Sequence, residues 1–293
     1  MDDEYCFFLD SNDKKNVEIV TTKSDSNEQL NVNWQRWYME YDSLHRNSKG
    51  ESQIIALIDS GISGFQIQKV KKYFDLTDEK SGIDNNGHGT MMCSLILGDN
   101  ELLGIAPEAL IYSYKVVGSS GKVEPQILAK AINQAINDKV TIINISLGSY
   151  FDNAEIQKAI KDAYQAGIVL VAASGDYETS DMLYPARYNE CISVGAIDKD
   201  NKIWEGTNAE KDCDILAPGV DINTTLNTGE MSITTGTSQS TALISGYIAL
   251  IKDYALNNGC ELHQEDIKKI LHKIKDNKLS YSGGINMMKD SMD

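Results

Sequence analysis

The sequence predicts an α/β fold: a doubly wound, mostly parallel sheet with helices on both faces. A continuous apolar run at 54–58, with further mainly apolar strand segments at 140–147, 168–172 and 191–196, is expected of strands buried on both sides. Segments with apolar residues at helical spacing lie between them. Strand and helix patterns alternate at a spacing that implies right-handed crossovers.

Residues 1–28 read as a polar N-terminal extension, with one short β-like run at 17–22, and 29–293 as a single domain. From about Asn31 the chain turns aromatic (Trp34, Trp37, Tyr38, Tyr41), as if packing onto something larger. The run at 54–58 is the first buried strand, and a helix pattern follows at 88–97. Residues 111–117 read as a strand, and Pro125 opens a helix, as an early-turn proline can. The apolar positions of that helix, Ile127, Leu128, Ala131, Ile132, Ala135 and Ile136, share one face. A helix at 155–166 ends at Gly167, a good left-handed cap. Late helices are predicted near 238–256 and over 263–275.

Composition narrows the function. Hydrophobic residues make up 41% and charged residues 24%, the balance of a globular enzyme. A net charge of −16 makes nucleic acid an unsuitable partner, since the chain repels phosphate. No apolar run approaches the roughly 18 residues of a membrane span, and the acidic start MDDEYCFFLDSNDKKN does not read as a secretory signal. The five cysteines are scattered, without a CxxC pair, which argues against disulfides and a zinc site. A cytoplasmic protein without cofactor or metal is expected.

In doubly wound sheets the active crevice lies beyond the carboxyl ends of the strands. Asp59 ends the first strand, where it could orient a histidine, accept a phosphoryl group or bind a ribose hydroxyl. His88 opens a helix between two glycines, which leave the imidazole accessible. Ser238 also stands at a helix start, either as an N-cap or as a nucleophile near helix N–H groups. Serine needs an imidazole to take its proton, and the imidazole needs a carboxylate to fix its tautomer. The three strand and helix ends supply all three groups. A nucleotide site is disfavoured, because DSGISG lacks both GxGxxG and a Walker lysine.

The segments IIALIDSGI, NGHGT and TGTSQSTALISG resemble the three motifs of subtilisin-like serine proteases, in the order Asp, His, Ser. The similarity extends through GIAPEALIYSYKVV, VTIINISLGS, LVAASGD, YPARYNECISVGA and DILAPGV, over about residues 31–275. It implies that Ser238 attacks the scissile carbonyl, His88 transfers the proton and Asp59 supports the imidazolium. It also implies a peptide or protein substrate held as an extended strand between Gly121-Lys122-Val123 and Ser146-Leu147-Gly148. Ala172, Ala173, Ser174 and Leu183 would line the pocket for the residue before the cut, with Leu183 narrowing it.

The pattern departs from the family in three places. Asp176 stands where subtilases place the asparagine that donates to the oxyanion. An ionised carboxylate has no proton to give, so the expectation is a slowed protease, with a silent peptide-binding scaffold as the alternative; a buried, protonated Asp176 could still donate. The link from Gly98 to Gly104 looks too short for the family's calcium loop. Residues 1–28 look too few for a folding propeptide. In this the chain resembles cytoplasmic subtilases, including those that remove leader peptides from ribosomally made antimicrobial peptides.

Overall fold

The computed structural model describes residues 7–8, 33–99, 102–118 and 121–292. The β-like run expected at 17–22 lies outside the described residues. The strands begin with β1 (Phe7–Phe8), β2 (Ile54–Asp59), β3 (Lys72–Asp75), β4 (Leu110–Lys115) and β5 (Lys122–Val123). They continue with β6 (Ile142–Ile145), β7 (Val169–Ala173), β8 (Ile192–Ile197), β9 (Ile215–Pro218), β10 (Ile222–Thr225) and β11 (Met231–Thr234). The helices are α1 (Trp34–Tyr38), α2 (Tyr41–Leu44), α3 (His88–Leu97) and α4 (Pro125–Asn137). After them come α5 (Ala154–Gln165), α6 (Thr237–Asn257), α7 (Gln264–Lys275) and α8 (Tyr281–Met292).

Seven strands form one sheet in the order β3-β4-β2-β6-β7-β8-β9. Every pairing within it is parallel. The expected doubly wound architecture is therefore the one observed. Alternation along the strands feeds two cores. Ile55 and Leu57 of β2 join the side chains of α3 and α6, while Ala56 and Ile58 join those of α4 and α5. A strand apolar at every position is what burial on both faces requires.

Local sequence sets the helix ends. Asn153 caps α5, its Oδ1 accepting from the N–H groups of Glu155 at 3.0 Å and Ile156 at 3.1 Å. Gly167, at φ 79°, turns the chain out of that helix. From β2 the sheet grows to one side through β4 and to the other through β6. Such a reversal opens a crevice beyond the strand ends, and Asp59 sits at its edge.

Several elements lack a sequence signal. β3 and β9 are the edge strands, and β3 reads KYFD, mixed in polarity because half of it meets water. The aromatic segment after Asn31 does pack onto a larger body: Trp34 and Tyr41 are buried, and the Trp34 indole donates to the Val220 carbonyl at 3.0 Å. Trp37 remains exposed.

Candidate active site

Asp59 and His88 meet at the end of β2. Gly87, at φ 101°, takes a left-handed turn that directs the chain into α3 with His88 as its first residue. The His88 Nδ1 lies 2.8 Å from Asp59 Oδ1 and 3.0 Å from Oδ2, and both side chains are buried. A carboxylate only accepts, so Nδ1 carries the proton and Nε2 is the acceptor nitrogen. Asp59 Oδ1 also accepts the Ser60 N–H at 2.7 Å.

Ser238 is the second residue of α6, whose N-cap is Gly236. The serine is therefore inside the helix rather than capping it. Its Oγ lies 3.5 Å from the Ser146 carbonyl oxygen. Helices α3 and α6 pack against each other, which brings together the elements that begin with His88 and with Thr237-Ser238.

Asp84 is a site residue that sequence reasoning missed. Its Oδ1 accepts from the Ser60 hydroxyl at 2.8 Å and from the N–H groups of Asn86 at 3.0 Å and Gly87 at 2.8 Å. Its Oδ2 accepts from the Thr90 N–H at 2.9 Å and hydroxyl at 2.6 Å. One buried carboxylate thus ties the turn after Asp59 to the turn before His88. Its place four residues before His88, in DNNGHGT, was the available signal.

A cleft with a free volume of about 10 Å³ adjoins Ser238 and Thr237. Ser146, Leu147, Gly148, Ala173 and Leu183 line it, and Gly175 and Tyr177 join them. Ala172 and Ser174 do not line this cleft. Side chains alternate along an extended chain: Ala172 points into the core beneath α4 and α5, and Ser174 is wholly buried. The Lys122–Val123 edge pairs in antiparallel register with Phe7–Phe8 of the same chain, Phe7 opposite Val123 and Phe8 opposite Lys122. Gly121 precedes that pair in a left-handed turn, at φ 72°.

Asp176 is buried beside the start of α6. Its Oδ1 accepts from the Thr237 N–H at 2.8 Å and the Thr237 hydroxyl at 2.6 Å. In the link from Gly98 to Gly104, the Asp99 carboxylate accepts from the Leu102 N–H at 3.0 Å and from the Thr225 hydroxyl. Among the described residues no group of three or more His, Cys, Asp or Glu is placed to hold a metal ion. No helix of the described residues is long and apolar enough to cross a membrane.

Known serine proteases are similar to this chain over most of its length. The major intracellular serine protease of Bacillus subtilis is 34% identical over 223 residues, 70% of this chain and 70% of that protein. An intracellular serine protease of Paenibacillus polymyxa is 34% identical over 229 residues, 73% of this chain and 70% of that protein. Subtilisin BL of Lederbergia lenta is 33% identical over 212 residues, 71% of this chain and 79% of that protein. Residues 50–285 match the model of the subtilase family. With that match over most of its length, the chain belongs to the subtilase family of serine endopeptidases.

Proposed function

We propose that the chain cleaves peptide bonds through Ser238, His88 and Asp59. The observation that carries this reading is the buried bond from His88 Nδ1 to Asp59, which leaves Nε2 to accept a proton. Ser238 attacks the carbonyl, His88 takes its proton and returns it to the leaving amine, and Asp59 supports the imidazolium. Water then hydrolyses the acyl-enzyme by the same route. The Ser238 N–H, at the start of α6, is one donor to the oxyanion. Asp176 occupies the position of the second, and its ionised form slows the reaction.

The substrate lies as a strand between Lys122–Val123 and Ser146–Gly148. The pairing of Phe7–Phe8 with Lys122–Val123 supports this, because an edge that takes one strand by backbone bonds can take another. The intracellular proteases among the relatives support action in the cytoplasm. A narrow pocket suits processing of chosen peptides, such as leader removal, better than general digestion.

Fluorophosphonate labelling tests the reading directly. The wild-type protein is expected to be labelled and to cut a peptide library at discrete bonds, and Ser238→Ala to do neither. Equal labelling of both proteins, or peptide binding without any cleavage by the wild type, would overturn it.

A further inference from the structure

We infer that Leu183 closes the pocket beside Ser238 to all but the smallest side chains, so that cleavage follows alanine, serine or glycine. The inference deepens the proposed function and rests on it for the word cleavage, but not for the shape of the pocket.

Leu183 is packed between two glycines. A Cβ added to Gly148 would stand 2.6 Å from Leu183 Cδ1, and one added to Gly175 would stand 2.8 Å from its Cγ. The side chain therefore already fills the space that both glycines leave. Its backbone is pinned as well. The Leu183 N–H donates to the Ser174 carbonyl at 3.0 Å, and Ser149 and Tyr184 exchange N–H bonds at 2.9 and 2.8 Å. These bonds fix the main chain at Leu183, and the side chain is confined by the backbones of Gly148 and Gly175.

What remains is about 10 Å³. A cavity must offer about 10–15 Å³ to hold one water, so a methyl or hydroxyl group fills it. The lining carries no charged side chain, and a charged group placed there would be buried without a partner. Tyr177 also lines the pocket, its ring 5.6 Å from that of Tyr150. Size and charge thus select the same short, neutral side chains.

Two peptides that differ only in the residue before the cut, alanine or phenylalanine, test the inference. Wild-type kcat/KM is expected to favour alanine by at least about tenfold, within the roughly 10–200-fold that pocket size can supply. Leu183→Ala is expected to shift that ratio toward phenylalanine by about tenfold or more, and Leu183→Val by a smaller step in the same direction. A binding arm uses Ser238→Ala and peptides ending in alanine or phenylalanine, read by calorimetric titration. Tighter binding of the alanine peptide supports the inference even where labelling and turnover fail, an outcome that removes the proposed function alone. Equal kcat/KM for two peptides that are both cleaved, or equal binding of the two in the Ser238→Ala arm, overturns the inference.

Discussion

A single carboxylate oxygen of Asp176 accepts both the backbone N–H and the hydroxyl of Thr237, at 2.8 and 2.6 Å. An asparagine in the same rotamer keeps those two bonds through its carbonyl oxygen and presents an NH₂ where Asp176 has Oδ2. Loss of one oxyanion donor costs about 10²–10³ in rate, a magnitude established on a subtilisin itself. Asp176→Asn is therefore expected to raise kcat by up to about 10²–10³. Steady-state kinetics check the point, and an unchanged kcat would remove Asp176 from the mechanism.

Asp84 holds the two turns that carry Asp59 and His88. Five donors converge on it in a buried setting. Asp84→Ala leaves them without that acceptor, and each stranded buried donor costs about 1–3 kcal/mol. A loss of at least about 3 kcal/mol in unfolding free energy is expected, with kcat/KM falling further than stability alone explains. Urea unfolding and peptide kinetics measure the two effects. A variant with the wild-type midpoint would show that the turns hold without it.

The legible parts of the molecule are those where one local rule decides. The runs in β2, β6, β7 and β8 are apolar at nearly every position because both faces are buried. α5 carries its own Asn153 cap and Gly167 stop. The meeting of Asp59 with His88 is legible through the motifs that carry them. β3 is not legible, because an edge strand half in water shows no apolar run. Which residues of 172–175 face the cleft is not legible in the motif, because a motif gives neighbours along the chain, whereas the cleft takes alternate residues, Ala173 and Gly175. The role of Asp84 depends on donors from two separate turns, Ser60 and Thr90, which no single segment displays.

The pairing of Phe7–Phe8 with Lys122–Val123 occupies the edge at which a substrate strand is proposed to add. A tethered segment competes with peptide at its effective concentration. Removing residues 1–28 is expected to lower KM at least about threefold while kcat stays unchanged, because chemistry at Ser238 is untouched. Initial-rate kinetics on the full and shortened chains decide it. An unchanged KM would show that the pairing does not compete.

The thiols offer a prediction independent of catalysis. Burial pushes the Cys93 thiol up to about 12 and the Cys213 thiol up to about 11. Cys191 is buried and raised as well, whereas Cys260 is partly exposed. Thiolate is the reactive form, so at pH 8 the three buried thiols are both protonated and shielded. Iodoacetamide at pH 8, followed by peptide mapping, is expected to modify Cys260 well before Cys93, Cys191 or Cys213. In denaturant these four should react at similar rates, since the unfolded chain restores an ordinary thiol titration. Raising the pH of the native protein to 10 should leave Cys93 and Cys213 slow, because both remain below their titration midpoints. Early native-state modification of Cys93 would mean that the face of α3 behind His88 opens to solvent, and the rigid placement of the imidazole would have to be abandoned.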